Sequence, residues 1–322
     1  TGAKAAARAR RRDPGAEITL VERGRLLSYA GCGMPYYIQG QVKDFNELMA
    51  TPVGVLRDGA FFQNVKAIRV LTQTRAESID RAHKTVTVLS AETGQASQLP
   101  YDKLVLATGG SPAEPRVEGA NLPNVFRLNR PEEALAIRQA VESGQVKRAV
   151  LIGGGLIGLE TAEALLARGV HVTIVEMLEQ LLPALLDWEV AAFLEKYLRL
   201  KGLDIRLGAK VTRIEADGNG HVARVHTAKE AMEAQLVLLA IGVRPNVRLA
   251  KEADLALGPT GAIAVNDQLQ TGDPDIYAGG DCVECHHLLT GQKVFVPLGS
   301  TANKHGHVIG DNVTGGHSTF PG

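Results

Sequence analysis

Val150-Leu-Ile-Gly153-Gly-Gly155-Leu-Ile-Gly158-Leu-Glu160 decides how this chain is read. A short apolar strand runs straight into G-x-G-x-x-G. Ala and Leu at helical spacing follow from Leu156 to Arg168, and Gly169 ends the helix. His171-Val-Thr-Ile-Val175 reads as the next strand, closed by Glu176. A lone G-x-G-x-x-G is a weak signal. Flanked by strand, helix, strand and a terminal acid, it is a complete βαβ dinucleotide fingerprint. Gly153, Gly155 and Gly158 let the backbone approach a pyrophosphate at a helix N-terminus.

The first residues repeat the second half of that unit. Gly2 to Arg11 is helix-like, Asp13-Pro14-Gly15 is a turn, and Glu17-Ile-Thr-Leu-Val21 is a strand ending at Glu22. The Gly2-to-Glu22 spacing nearly matches that from Gly158 to Glu176, the longer turn absorbing the difference. Gly2 is therefore read as the third glycine of a second fingerprint, whose first strand and first two glycines lie before residue 1. A basic amphipathic helix with no ligand is the plain alternative.

Further strands are expected at Lys103–Ala107, stopped by Thr108-Gly109-Gly110, and at Gln235–Ala240, stopped by Ile241-Gly242. Between them lie a helix around Asp187 to Lys201 and short strands near 204–207, 211–215 and 221–227. A final helical pattern runs from Ser300 to Thr314.

Composition narrows the function classes. The chain has 322 residues, the length of about two domains, and 45% are hydrophobic, enough for real cores. Basic and acidic residues number 35 each, so no basic excess points to nucleic acid. No apolar run reaches the ~18 residues of a membrane span. Three cysteines do not make a disulfide framework and point to a reducing, cytoplasmic setting.

Three motifs together resemble the FAD-dependent pyridine nucleotide-disulfide oxidoreductases: Gly153–Glu160 with Glu176, the Ala107-Thr108-Gly109 turn, and Tyr277-Ala-Gly-Gly-Asp281. Ser28-Tyr-Ala-Gly-Cys32-Gly-Met-Pro35-Tyr-Tyr37 and Pro297–Lys304 are similar to that family's single-cysteine branch. This branch holds coenzyme A disulfide reductases, NADH-dependent persulfide or polysulfide reductases, and NADH oxidases. The resemblance implies an α/β fold of two Rossmann-like three-layer ββα/βαβ domains, glutathione-reductase-like, one inserted in the other. Residues 1–115 and 248–322 would form the FAD-binding domain, and 116–247 the inserted NAD(H)-binding domain. It also implies a longer protein, with an N-terminal strand and a C-terminal dimerisation domain, that forms a homodimer. Without the first strand, the 322 residues alone are expected to bind FAD poorly.

The resemblance assigns Gly2, Glu22, Arg23, Ser28, Thr108, Gly109, Asp281, Ser300, Thr301 and Ala302 to FAD. In it, Glu22 accepts hydrogen bonds from the adenosine ribose, Asp281 meets the ribityl chain, and Ser300-Thr301-Ala302 opens a helix aimed at the pyrimidine edge of the flavin. Gly153, Gly155, Leu156, Ile157, Gly158, Glu160, Glu176 and Gly242 are assigned to NAD. Glu160 lies either near the nicotinamide or in helix packing. An acid at Glu176, with Met177-Leu178 offering no arginine, favours NADH over NADPH.

Cys32 is the catalytic candidate. Two-cysteine relatives carry a second cysteine five residues on, where this chain has Tyr37. Cys32 would cycle alone, as a mixed disulfide, persulfide or sulfenic acid. Pro35 belongs to the first turn of a helix, so Cys32 is expected at or near a helix N-terminus. The ordinary alternative for a lone cysteine is an inert buried thiol. Cys282-Val-Glu-Cys285-His286 spells the haem c pattern, yet directly follows Asp281, where a haem has no room. The plain reading is two incidental cysteines, with a redox pair or half a metal site as the alternative. No complete metal site is expected.

The activity implied is NAD(P)H-driven, FAD-dependent reduction of a small-molecule disulfide or persulfide such as coenzyme A disulfide. The runner-up is an NADH oxidase or peroxidase working through a sulfenic acid at the same cysteine. A reading of another class is a non-enzymatic NAD(H)-binding redox sensor.

Overall fold

The computed structural model describes residues 1–322. They form two compact units, one of Thr1–Tyr29, Met49–Ser111 and Val243–Gly322, the other of Ala30–Leu48 and Pro112–Gly242. In the first, α1 (Gly2–Arg12) leads into β1 (Thr19–Val21). The chain leaves for the second unit to form α2 (Met34–Gln39). It returns for β2 (Arg69–Leu71), β3 (Thr74–Asp80), β4 (Thr85–Ser90), β5 (Ala96–Pro100) and β6 (Leu104–Leu106). After β7 (Gly110–Pro112) the second unit adds β8 (Val125–Phe126), α3 (Pro131–Glu142), β9 (Arg148–Ile152), α4 (Leu156–Ala167) and β10 (His171–Val175). It continues with α5 (Trp188–Leu200), β11 (Asp204–Arg206), β12 (Val211–Ala216), β13 (Val222–Thr227), β14 (Ala231–Glu233) and β15 (Leu236–Leu239). Then β16 (Val243–Pro245), paired with β7, opens the last stretch of α6 (Arg248–Glu252), β17 (Ile276–Ala278), β18 (Cys285–His286), β19 (Lys293–Val294) and α7 (Gly299–Asn312).

The second unit is built on a parallel sheet in the order β11-β10-β9-β15-β8. Its central strands carry continuous apolar runs because both faces are covered: Leu151, Ile174, Leu236 and Leu238 are fully buried. The strand order reverses between β9 and β15. That is the topological switch point, where α/β sheets open a ligand crevice at the strands' carboxyl ends. The antiparallel β12-β13-β14 meander adds a second small sheet.

In the first unit the parallel strands form two separate pairs, β1-β2 and β17-β6. An antiparallel meander, β3-β4-β5, joins them in the same unit. The two long helices, α1 and α7, pack side by side. Glycines permit the close approach: a Cβ on Gly306 would lie 2.8 Å from the Thr1 carbonyl oxygen, and one on Gly310 2.7 Å from that of Ala5. Arg8 locks the pair with two hydrogen bonds to the carboxylate of Asp311, at 2.7 and 3.1 Å.

The units divide the chain at Ser111/Pro112 and Gly242/Val243, a few residues from the expected breaks near Arg116 and Val247. Ala30–Leu48 differs more. The sequence reading leaves it in the first domain, whereas in the structure it belongs to the second unit, because α2 lies against α3 and α4.

Candidate functional site

The βαβ fingerprint folds as its spacing requires. Gly153 leaves β9 with φ +112°, and a Cβ there would stand 2.3 Å from the carbonyl oxygen of Ala240 beyond β15. A Cβ on Gly158 would stand 2.2 Å from the carbonyl oxygen of Gly153. Both glycines are demanded by packing of strand, turn and helix. Gly155 is different: nothing lies within 4 Å of its missing Cβ, so its role is to leave space outside. It precedes α4, whose N-terminus carries no side-chain cap. The unpaired N–H groups of that first turn are what a pyrophosphate needs. Leu156 and Ile157, though large and apolar, stay exposed beside this opening.

Glu176 ends β10 with both carboxylate oxygens fixed. Oε2 accepts the Gly154 N–H at 2.7 Å, and Oε1 accepts the Leu178 N–H at 2.8 Å. One side chain thus ties the glycine loop to the end of the next strand. Its remaining lone pairs are free to accept from a diol. Met177 and Leu178 flank it as exposed apolar side chains. Glu160, one turn into α4, has its carboxyl pushed above the ordinary range by burial and then by neighbouring Glu163. Gly242, with φ +108°, faces open space.

The first unit gathers the other assigned residues in three places. Glu22 follows β1, takes the Gly24 N–H on Oε1 at 2.7 Å, and donates its own N–H to Leu71 at 2.9 Å. Arg23 is exposed and Ser28 half-buried along the same segment. Thr108 and Gly109 (φ +68°) form a turn clasped by Asn246. Asn246 accepts the Thr108 hydroxyl on its carbonyl at 2.6 Å and donates Nδ2 to the Thr108 carbonyl at 2.9 Å. It also donates its N–H to Gly109, and its Oδ1 accepts the Ser111 hydroxyl at 2.8 Å. The sequence reading does not include Asn246. The only hint is its place just after the Gly242-Val-Arg-Pro245 turn.

The third place is the Gly279-Gly280-Asp281 loop after β17. Gly280 has φ +83°, and its N–H donates to Nδ1 of His305 on α7 at 3.1 Å. His305 is buried, and burial in the first place holds its imidazole down to about 4. The ring is therefore neutral, with its proton on Nε2, which has no protein partner. This histidine too was missed, since nothing in the helical pattern of Ser300–Thr314 marks it. Burial pushes the Asp281 carboxyl above its ordinary range. Ser300, Thr301 and Ala302 lie in the first turn of α7, which like α4 has no side-chain cap and no acidic residue there. Gly2 opens α1, its missing Cβ 3.3 Å from the Cβ of Ala107.

The three cysteines separate by environment. Cys32 is exposed, in a 3-10 turn at Gly31–Gly33 that runs directly into α2, with Pro35 in the first turn. Tyr37, in the same helix, is buried and meets Phe45 edge-on at 5.2 Å. Cys282 is fully buried and donates weakly to the carbonyls of Leu106 and Gly279, at 3.5 and 3.4 Å. Cys285 is buried as well, and burial raises both of these thiols. They form no disulfide, and no cluster of metal-ligating side chains is present. The two are core residues rather than incidental loop cysteines, while His286 and His287 are exposed. No helix is long and apolar enough to cross a membrane.

Comparison with known proteins follows the same lines. The family model described as pyridine nucleotide-disulphide oxidoreductase matches residues 1–306. An NAD(P)H coenzyme A polysulfide/persulfide reductase of Pyrococcus horikoshii is 37% identical over 321 residues, all of this chain and 69% of the relative. An NADH oxidase of Methanocaldococcus jannaschii is 35% identical over 305 residues, 94% of this chain and 66% of the relative. The structure of an NAD-dependent persulfide reductase from A. fulgidus superposes with a TM-score of 0.96 at 44% identity, covering this chain fully. This chain spans 59% of that protein's length.

Proposed function

This chain belongs to the pyridine nucleotide-disulphide oxidoreductase family, and from that premise we propose that it reduces a small disulfide or persulfide with electrons from NADH, through Cys32. Cys32 is the one exposed cysteine, and this observation carries the reading. A redox sulfur must reach its substrate, and Cys282 and Cys285 are buried and raised in pKa. With Tyr37 five residues on, the segment offers no second thiol to form an internal disulfide.

The first unit is the FAD site in this reading, with Glu22, the Thr108-Gly109 turn, Asp281 and the α7 N-terminus as its contacts. The residues fit such a group: the uncapped first turn of α7 and the orphaned Nε2 of His305 are polar groups without protein partners. When bound, FAD supplies the two-electron relay between nicotinamide and sulfur. The α4 N-terminus holds the NADH pyrophosphate, and Glu176 accepts from the adenosine ribose. The carboxylate of Glu176 repels a 2′-phosphate, so NADH is preferred.

At Cys32 the thiolate attacks one sulfur of the substrate disulfide. A Cys32–S bond forms, the substrate S–S bond breaks, and one thiolate leaves. Two electrons and a proton then cleave the mixed disulfide, regenerating the Cys32 thiolate and releasing the second thiol. One NADH and one proton are consumed for two thiols formed. Replacing Cys32 with Ser removes the attacking atom and leaves both dinucleotide sites intact. Cys32→Ser is expected to retain NADH-driven dye reduction and to lose disulfide turnover by at least about 1,000-fold. Disulfide turnover within tenfold of wild type would end the proposal. Oxygen uptake in place of thiol release would move the reading to an NADH oxidase using the same sulfur.

A further inference from the structure

The segment that carries Cys32 is held from its far end by a side chain of the second unit. We infer that Arg138, on α3, is a positioning residue for the redox sulfur; this rests on the role proposed above for Cys32. Nη1 of Arg138 donates to three carbonyls, those of Tyr37 at 3.2 Å, Val42 at 3.1 Å and Lys43 at 3.1 Å. Nε donates to Glu142 at 2.8 Å, one turn further along α3. The guanidinium carbon lies 4.3 Å above the centre of the Tyr37 ring. The Arg138 side chain is mostly covered, whereas Glu142 is half exposed. Arg168 adds a second contact to Glu142 at 3.3 Å.

The geometry matters because the segment is short. A 3-10 turn and six α-helical residues do not hold their shape alone, since helix nucleation is unfavourable. Gly40, in the left-handed conformation, donates its N–H to the Tyr36 and Tyr37 carbonyls and ends the helix, but that closes the helix on itself and does not tie it to a neighbour. The run needs a fixed point at each end. At the Cys32 end, Leu48 packs where a Cβ on Gly33 would be 2.5 Å away, and Ala30 donates its N–H to the Leu48 carbonyl at 2.8 Å. At the other end the fixed point is Arg138. A cation there also complements the negative end of the helix. Tyr37 stands where two-cysteine relatives carry their second sulfur, and here the position serves as the plate beneath the guanidinium. Loosening that plate lets the Cys32 end tilt, and a 1 Å misplacement of a reacting group costs about 100-fold.

The test uses the FAD-loaded protein with its flanking segments in place and three assays: NADH-driven dye reduction, disulfide turnover, and the rate of Cys32 alkylation by iodoacetamide. Arg138→Met is expected to lower kcat for disulfide reduction at least about tenfold. The KM for NADH and the dye reduction rate should stay within twofold of wild type, and the alkylation rate should change at least threefold. Arg138→Lys, which can aim an ammonium at the same carbonyls, should recover at least half of the lost kcat on a logarithmic scale. Wild-type alkylation and turnover in Arg138→Met overturn the inference; if that variant does not fold, the same result in Arg138→Gln does so. A loss of NADH binding in step with disulfide turnover, or no recovery with lysine, also overturns it, because either marks general damage to α3. Cys32→Ser run alongside separates the two claims. If it keeps disulfide turnover, the role of Cys32 fails, and the alkylation rate alone still decides whether Arg138 positions the thiol.

Discussion

Replacing Glu176 with Ala should weaken NADH and strengthen NADPH at once. In the structure the carboxylate takes two backbone N–H groups, from Gly154 and Leu178, at 2.7 and 2.8 Å. Leu178 is exposed, so water can replace the carboxylate for its N–H, whereas Gly154 is buried and its N–H is left without that partner. The Gly154 loss falls on both nucleotides alike, and the loss specific to NADH is the ribose diol. A hydrogen bond to a charged group contributes about 1.5–3 kcal/mol, so losing the diol contact costs about 3 kcal/mol, or about a 100-fold rise in KM for NADH. The opposite sign holds for NADPH. Unit charges about 4 Å apart at an effective dielectric of about 20 repel by about 4 kcal/mol, and exposure reduces this to about 1–2 kcal/mol. Removing the carboxylate should therefore lower the NADPH KM about tenfold. Steady-state dye reduction by the FAD-loaded enzyme, with each nucleotide in turn, reads both values. An NADH KM within threefold of wild type refutes the ribose role. A rise of both KM values in step refutes the charge reasoning, because it means the Gly154 loop has simply lost its shape.

Two further outcomes follow from buried ionisable groups in the first unit. Burial raises the Asp281 carboxyl, so ionising it at neutral pH costs stability in the FAD-free protein. Asp281→Asn should raise the melting temperature of the FAD-free protein while lowering FAD affinity at least about tenfold; melting without cofactor and flavin fluorescence titration check the two halves. Burial holds the His305 imidazole down to about 4 in the folded protein, against the ordinary value of about 6.5. Its stabilising contribution is complete above the unfolded value and is lost as pH falls from about 6.5 through about 4, amounting to about 3 kcal/mol. Urea unfolding between pH 7 and 4 should show that loss in wild type and a shallower one in His305→Gln; identical slopes would remove His305 from the account.

The parts legible in the sequence are those where a local rule leaves one solution. The G-x-G-x-x-G turn, its helix and the strand to Val175 are found with bounds within a residue or two, because packing leaves no room for a Cβ at Gly153 or Gly158. The β3-β4-β5 meander went unread. Its strands pair with their neighbours in the chain across short turns, but β3 carries polar and charged residues on its exposed positions and β5 is almost wholly exposed, so neither shows an apolar alternation. The residues that grip the site were also invisible. Asn246 clasps Thr108 from 138 positions away, and Arg138 reaches Tyr37 from 101 positions away. No period or motif records such contacts. The packing of α2 against α3 and α4 is likewise not written in the residues of Ala30–Leu48.

Helix caps connect the cofactor reading to the chain's neutral charge. At α3, an ordinary helix, the Glu133 carboxylate accepts the N–H groups of Asn129 and Arg130, at 2.7 and 2.9 Å. That is how a helix start is normally satisfied. At α4 and α7 the capping residues are Gly155 and Leu298, which have no side-chain acceptor, and neither first turn holds an acid. The starts of α1 and α5, behind Thr1 and Asp187, also make no side-chain cap, but those two capping residues carry an acceptor oxygen; only at α4 and α7 among the long helices is there neither an acceptor at the cap nor an acid in the first turn. A bare helix start costs stability unless something else accepts those hydrogen bonds, and a phosphate or a reduced flavin ring can do so. Because dipoles and N–H groups meet the negative ligands, no excess of lysine or arginine is required. The balance of 35 basic and 35 acidic residues accords with such binding.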